Sequence, residues 1–193
     1  MDDPLAAQKL ALRDQLTTTR RRLSLLEIGD AAQAIADHLL ATPELQRAAT
    51  MAAYISIGPE PGTGPLIDAW FEAGRRTLLP VLRADNDLEW AVYRGATSLA
   101  PAGRGLLEPV GESLGLDAIA TADVVLTPGL AVDKTGMRLG RGGGSYDRAL
   151  ARVPVGTSVL TLLYDGELVD EVPHADHDRR VSGVVTPSGV TWF

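Results

Sequence analysis

Residues 127–150 read TPGLAVDKTGMRLGRGGGSYDRAL, and this stretch decides the fold. It follows a short apolar run at 124–126, which is typical of a buried strand, and its last residues, from 146 onward, can open a helix. Glycines cluster between these two elements, at 136, 140 and 142–144. Because glycine has no Cβ, such a loop can bring backbone N–H groups close to an anion at the start of the following helix.

Charged side chains interleave with these glycines. Arg138, Arg141 and Arg148 supply planar, permanently charged donors that suit phosphate oxygens. Asp147 would repel a phosphate unless a cation bridges the two, and the simplest such cation is Mg²⁺. The loop lacks the G-x-x-x-x-G-K-[ST] pattern, and Ser145 stands where a dinucleotide-binding G-x-G-x-x-G needs its third glycine. The residues alone predict a triphosphate cradle, with an exposed glycine hairpin as the alternative.

The composition limits the function classes that remain. With 193 residues, 45% of them hydrophobic and 22% charged, the chain is long enough for one α/β domain with a substantial core. A formal net charge of −7 argues against a general nucleic-acid role, and the absence of cysteine excludes disulfides and thiolate metal ligands. No apolar run reaches membrane length. We therefore expect a single domain over residues 1–193, cytoplasmic and monomeric, without nucleic-acid or membrane partners.

Apolar runs alternate with helical segments along most of the chain. This alternation favours a mainly parallel sheet covered on both faces, which is a three-layer α/β/α, Rossmann-like architecture. The loops after the strands near 57, 127 and 164 then gather at one edge of the sheet, where such folds place ligands. Residues 99–115 are predicted to form a loop. The other predicted elements are strands at 51–57, 77–81 (ended by Pro80), 88–93, 157–164 and 184–186, and helices at 25–40, capped by Ser24, and 66–73.

Isolated charged residues outside the glycine-rich stretch have two interpretations each. On a first helix that begins near Pro4, Lys9 and Arg13 are four residues apart and Arg20 follows on the same side. Spacing alone favours a solvated basic face over an anion shared by Lys9 and Arg13. Glu60, in a rigid turn after a predicted strand, is either an exposed carboxylate or a ligand contact.

A late loop carries two histidines and two aspartates. His174 and His177 are three positions apart, beside Asp176 and Asp178. A short gap on a loop, without a further histidine nearby, is a weak zinc signal. One carboxylate of this loop assisting Mg²⁺ is the favoured interpretation.

These motifs together resemble a known family. PGLAVD at 128–133 and RLGRGGGSYDR at 138–148 are similar to the PG-x-A-(F/V)-D…RLG-(R/Y)-G-x-G-(Y/F)-YD signature of 5-formyltetrahydrofolate cyclo-ligase, also called 5,10-methenyltetrahydrofolate synthetase. Shorter matches follow in the family's order: K-x-x-L-R at 9–13, Y…E-P-x-T at 54–63 and HD at 177–178, while GLLEP at 105–109 is similar to the family's G-I-x-E-P. The chain departs from the pattern at Ser145, where the family usually has the first of two aromatic residues.

The resemblance implies an ATP-dependent enzyme that converts 5-formyltetrahydrofolate to 5,10-methenyltetrahydrofolate and releases ADP and phosphate. It implies catalytic roles for Arg141, Lys9 and Arg13, and Mg²⁺ held by Asp147 and Asp178. The implied folate contacts are Ile55, Glu60, Arg141, Gly142, Gly143, Gly144 and Ser145. The implied ATP contacts are Lys9, Leu10, Ala11, Leu12, Arg13, Arg138, Leu139, Gly140, Arg141, Gly142, Gly143, Gly144, Ser145 and Tyr146. A non-catalytic nucleotide- or folate-binding relative, and an α/β enzyme acting on a phosphosugar or a coenzyme A ester, remain as alternatives.

Overall fold

The structure of the protein, a computed structural model, describes residues 4–175 and 178–193. Within these ranges, no helix is both long and apolar enough to cross a bilayer. The helices are α1 Pro4–Arg20, α2 Leu25–Ala41, α3 Pro43–Arg47, α4 Gly64–Glu72 and α5 Ser145–Leu150. The strands are β1 Thr50–Ala52, β2 Arg76–Leu82, β3 Leu88–Val92, β4 Leu99–Pro101, β5 Leu107–Pro109, β6 Val124–Pro128, β7 Ala131–Asp133, β8 Arg138–Leu139, β9 Ser158–Leu162, β10 Leu168–Val169, β11 Gly183–Thr186 and β12 Gly189–Trp192.

Seven strands form the central sheet, in the spatial order β12-β11-β9-β6-β1-β2-β3. The five inner strands are parallel to one another, while β12 and β3 run antiparallel at the two edges. Inner parallel strands are covered on both faces, which explains why β6 is an almost continuous run of buried residues. The carboxyl ends of these strands meet at one edge of the sheet, as the alternating pattern predicts.

Helical elements cover both faces of this sheet. On one face, α2 and α4 bury side chains such as Leu39 and Trp70 against the strands. On the other face, α5 and a 3₁₀ helix at Leu116–Thr121 bury Leu150 and Ile119. The predicted three-layer α/β/α class is confirmed, although the second helical layer consists of short elements.

Helix α1 lies outside these layers. It packs on a small second sheet with the order β10-β7-β8. Leu12 and Leu16 of α1 join an apolar cluster that includes Leu130, Met137 and Leu139. Because these partners flank the glycine-rich loop, the packing holds α1 beside that loop.

Two predicted elements have different boundaries in the structure. The strand expected at 51–57 ends at Ala52, because the chain then leaves the sheet to form part of a cavity wall. The region 99–115, expected to be a loop, contains the antiparallel pair β4–β5. Both segments lie at the edge of the sheet that carries the candidate site.

Strand β2 continues through Pro80 instead of ending there. Arg83 N donates to Asp87 O, which lies in the β2–β3 connection, and backbone groups alternate in direction along a strand. The nitrogen of Pro80 therefore points to the opposite edge of β2. Strand β1 has already ended there, so the missing N–H costs no hydrogen bond of the sheet.

Candidate active site

A cavity with a volume of about 520 Å³ opens at the carboxyl edge of the central sheet. Residues that follow β1 and β6 line one part of it, and the glycine-rich loop at 140–144 lines another. Side chains of α1, of β2 and of the β4–β5 hairpin complete the wall. A concave site of this size suits a small-molecule ligand.

The lining of this cavity is more cationic than the chain as a whole. The chain carries a net charge of −7, yet cations outnumber carboxylates in the described lining. Such a local reversal of sign favours an anionic ligand. The cations are Lys9, Arg13, Arg104, Arg138 and Arg141, and the carboxylates are Glu60, Glu108, Asp147 and Asp178.

The glycine-rich loop adopts conformations that other residues rarely take. Gly142 has φ +99° and Gly144 has φ +67°. A Cβ at Gly140 would lie 2.8 Å from Nη1 of Arg138, closer than van der Waals contact allows. The glycines are therefore needed both for the turn and for the close approach of the loop to an arginine.

Arg138 fixes this loop to the end of β6. Its side chain is only 3% exposed. Nη1 donates to Pro128 O at 2.9 Å, Nη2 donates to Asp147 Oδ1 at 3.2 Å, and the guanidinium lies 5.7 Å from the centre of the Tyr146 ring. Arg138 therefore holds Asp147 and Tyr146 in place at the start of α5.

Lys9 and Arg13 face the cavity instead of forming the solvated face that spacing alone favours. Lys9 Nζ donates to Asp178 Oδ2 at 2.5 Å, and Arg13 Nε donates to Gly140 O at 2.8 Å. The apolar contacts of α1 with the second sheet determine this orientation. Helix α1 thereby connects the glycine-rich loop to the late loop that contains Asp178.

The three residues between Lys9 and Arg13 do not line the cavity. Leu10 and Ala11 are exposed, whereas Leu12 packs in the apolar cluster under α1. The helical repeat of 3.6 residues explains this separation, since only positions three or four apart share a face. Of residues 9–13, to which the resemblance assigns ATP, only Lys9 and Arg13 therefore line the cavity.

Glu60 is a buried carboxylate and not an exposed turn residue. It is 6% exposed, and its Oε2 accepts from Ile57 N at 2.9 Å. Arg141 Nη2 lies 3.1 Å from Glu60 Oε1, while the Arg141 side chain remains 56% exposed. Ile55 lines the cavity nearby. Among the described residues, Arg141 has an ion pair with this one carboxylate, so its exposed side chain can reorient towards a bound anion at small cost.

Three tyrosine hydroxyls near the site are buried without a hydrogen-bond partner among the described residues. Burial, reinforced by the negative charge of Glu60, raises the pKa of Tyr54 and of Tyr146 well above the usual value. Burial raises the pKa of Tyr164 to about 12. All three phenols are therefore protonated donors at neutral pH. Tyr54 and Tyr146 line the cavity, whereas Tyr164 does not.

Sequence reasoning missed a buried ion pair beneath the site. Arg20 Nε and Nη2 donate to the two carboxylate oxygens of Glu167, each at 2.7 Å, and Nη2 also donates to Gly129 O at 2.7 Å. Both side chains are almost fully buried. The position of Arg20 on α1 could place it beside Lys9 and Arg13. However, no local pattern identifies Glu167, 147 residues away, as its partner.

Asp147 and Asp178, to which the resemblance assigns Mg²⁺, both line the cavity. One carboxylate oxygen of each accepts a hydrogen bond, from Arg138 Nη2 for Asp147 and from Lys9 Nζ for Asp178. In the described part of the chain, no group of three or more His, Asp or Glu residues could hold a metal. Two carboxylates fit Mg²⁺, which takes its remaining ligands from phosphates and water. His177 of the H-x-x-H pair lies outside the described residues.

Comparison with known proteins adds independent information. The family model described as "5-formyltetrahydrofolate cyclo-ligase family" matches residues 5–187. The 5-formyltetrahydrofolate cyclo-ligase of Mycolicibacterium smegmatis is 44% identical over 143 residues, which cover 72% of this chain and 73% of that protein. The protein of the same name from Escherichia coli K12 is 32% identical over 174 residues, covering 89% and 96% respectively. The NMR structure of Aquifex aeolicus 5,10-methenyltetrahydrofolate synthetase superposes with a TM-score of 0.83 at 26% identity, covering 95% of this chain and 92% of that chain.

Proposed function

The chain belongs to the 5-formyltetrahydrofolate cyclo-ligase family, and on that premise we propose that it catalyses the ATP-dependent conversion of 5-formyltetrahydrofolate to 5,10-methenyltetrahydrofolate, with release of ADP and phosphate. The observation that carries this proposal is the composition of the cavity. It combines a glycine-rich loop, cations from α1 and from that loop, and two carboxylates suited to Mg²⁺. Those are the groups that binding and transfer of a phosphoryl group require.

The proposed chemistry has two steps. The formyl group on N5 is an amide, so its carbon is a poor electrophile. Its oxygen attacks the γ-phosphorus of ATP, and the bond to ADP breaks. N10 then attacks the activated carbon and loses its proton, while phosphate leaves with the former formyl oxygen. The protein contributes mainly positioning and neutralisation of charge.

We assign Arg141, Lys9 and Arg13 to the phosphates of ATP. Lys9 and Arg13 approach from α1, and Arg141 approaches from the glycine-rich loop, so the cations surround the cavity from two sides. Arg141 is the most exposed of the three and is the one best able to follow the transferring phosphoryl group. Leu139, Ser145, Tyr146 and the loop glycines are assigned to the same nucleotide because they line the same wall.

Asp147 and Asp178 are assigned as the carboxylates that hold Mg²⁺. Their contacts with Arg138 and Lys9 fix the two side chains at the cavity wall before any ligand binds. When bound, Mg²⁺ would neutralise charge on the phosphate oxygens.

The folate is assigned to the part of the cavity formed after β1. Ile55 offers an apolar surface, and Glu60 offers a buried acceptor for N–H groups of the substrate. The loop at 141–145 lies between this region and the nucleotide side. We further propose a monomer that works in the cytoplasm on these two substrates, without a nucleic-acid or membrane partner.

The activity is tested by mixing the purified protein with 5-formyltetrahydrofolate, ATP and Mg²⁺ and recording the near-ultraviolet absorbance of the methenyl product. We expect a rise that requires ATP and that is lost in Asp147→Ala. Protein that binds ATP and folate but gives no rise would instead be a binding relative without catalysis.

A second experiment tests the metal assignment through Asp178→Asn. The amide keeps the size of the side chain but loses the charge that favours Mg²⁺, so the Mg²⁺ concentration for half-maximal activity should rise by roughly tenfold or more. Asp170→Asn is the matched control, because Asp170 also pairs with a lysine, Lys134, but is fully solvated. If the two variants have the same Mg²⁺ titration curve as the unaltered protein, Asp178 does not hold the metal.

A further inference from the structure

Lys9 and Asp178 form an ion pair at the cavity wall, although we assign them to different ligands. Lys9 Nζ lies 2.5 Å from Asp178 Oδ2, and the two side chains are only 15% and 12% exposed. Both residues line the cavity. The lysine assigned to the phosphates of ATP therefore contacts the carboxylate assigned to Mg²⁺, so the two assigned roles involve the same few atoms.

Oxygen Oδ2 of Asp178 already accepts two hydrogen bonds. Lys9 Nζ donates to it at 2.5 Å and Ala175 N donates to it at 2.8 Å. Because a carboxylate oxygen offers about two acceptor positions, a metal ion on Oδ2 displaces one of these donors. A metal ion on Oδ1 would share one small carboxylate with the ammonium, and like charges that close repel each other, most strongly where water is largely excluded. Lys9 and a divalent cation therefore compete for Asp178.

The contact of Lys9 is easier to break than the corresponding contact of Asp147. Asp147 is bound by Arg138, which is only 3% exposed and also donates to Pro128 O, so this arginine is held on two sides. The ammonium of Lys9 ends a flexible side chain, and Asp178 is its one hydrogen-bond partner among residues 4–175 and 178–193. Asp178 keeps its position without Lys9, since a backbone N–H also binds it. Lys9 can therefore move once another anion lies within its reach.

We propose that Lys9 makes this site specific for a metal–nucleotide complex and against the free metal ion. Its ammonium excludes a lone divalent cation from Asp178, and it transfers from Asp178 to the phosphates when metal and nucleotide arrive together. Each charge then exchanges one partner for another, so neither is left partly buried without a counter-charge. This inference rests on the proposed function for the identity of the two ligands, and its new content is that the contacts of Lys9 with Asp178 and with ATP exclude each other.

Lys9→Met tests the proposal, because methionine keeps the length of the side chain and removes the charge. The probe is Mn²⁺ alone, which prefers the same oxygen ligands as Mg²⁺ and whose unbound fraction is measured by electron paramagnetic resonance. We expect the Kd for Mn²⁺ to fall about fivefold or more, while the Kd for ATP, measured by calorimetry without metal, rises about tenfold. Changes in opposite directions distinguish this role from a loss of structure, which would weaken both.

Further variants control for other effects of the substitution. Arg13→Met removes a second cation of α1 from the cavity wall, but Arg13 Nε donates to a carbonyl, Gly140 O, and not to a carboxylate. It should weaken ATP binding and change the Kd for Mn²⁺ by less than about twofold, because salt screens charges that are not in contact. Lys9→Arg keeps a cation beside Asp178, so its Mn²⁺ affinity should stay near that of the unaltered protein. Thermal unfolding shows whether each variant is folded, and Lys9→Gln replaces Lys9→Met if the latter is not.

The Mn²⁺ titration also separates this inference from the proposed function, because it needs neither folate nor turnover. A lower Kd for Mn²⁺ in Lys9→Met than in both the unaltered protein and Arg13→Met would support exclusion of the free metal by Lys9, even in a protein that makes no methenyl product. Equal Kd values in the three proteins, or no Mn²⁺ binding by any of them, would overturn the proposal, even in an active enzyme.

Discussion

Replacing Arg141 by alanine is expected to lower kcat about a hundredfold and to leave the Tm nearly unchanged. Loss of one preorganised donor to a charge that develops in the transition state typically costs roughly 10²–10³ in rate. Stability should change by about 1 kcal/mol or less, because the Arg141 side chain is 56% exposed and the buried Glu60 keeps its hydrogen bond from Ile57 N. The measurements are ATP-dependent product formation at saturating substrates and thermal unfolding.

Two further variants make this test specific. Arg141→Lys keeps the charge but loses the planar donor pair, so we expect an intermediate loss of kcat. Arg47→Ala is the matched control, since Arg47 is an exposed arginine that lies 3.9 Å from a glutamate, Glu44, and does not line the cavity. An Arg141→Ala enzyme that turns over as fast as Arg47→Ala would contradict the assignment of Arg141 to the phosphates.

Replacing Arg20 by methionine is expected to destabilise the protein by about 3–5 kcal/mol, the usual cost of leaving one member of a buried ion pair without its partner. Glu167 would keep its charge in a buried site, and Gly129 O would lose its donor. For a chain of this length the loss corresponds to a fall in Tm of roughly 10 °C. Urea unfolding at neutral pH measures the free energy directly.

The charge on Glu167 should be the source of most of this loss. In the double variant Arg20→Met with Glu167→Gln, the uncompensated charge is gone, and part of the stability should return. Lys134→Met breaks an ion pair whose side chains are 73% and 92% exposed, so it should change stability by less than about 1 kcal/mol. Equal losses for Arg20→Met and Lys134→Met would show that the Arg20 pair is not structurally important.

The helices and strands whose predictions agree with the structure are those that depend on residues close together in the sequence. Helix α2 begins after Ser24 as expected, because the hydroxyl of Ser24 and the carboxylate of Glu27 cap each other's backbone N–H groups within one turn. Strands β6 and β9 are apolar runs because they lie in the middle of a parallel sheet. Pro80 misled the prediction of β2, because its effect depends on which strand lies beside it.

The candidate site depended more on long-range contacts. The glycine-rich loop is recognisable from one segment, whereas local spacing left Lys9 and Glu60 with two interpretations each. The family resemblance assigned both to a ligand site, and both line the cavity. Neither source identified Glu167 as the partner of Arg20 or Tyr54 as an unpaired donor, because each property arises only when distant segments pack together.

The position of α1 determines when the cavity can exist during protein synthesis. Arg13 contacts Gly140, 127 residues later, and Lys9 contacts Asp178, 169 residues later. Helix α1 therefore leaves the ribosome long before either partner, and a 17-residue helix on its own is only marginally stable in water. A nascent chain that has not passed residue 178 cannot complete this wall. Any ligand that needs both contacts of α1 therefore binds only to chains in which residue 178 has been translated.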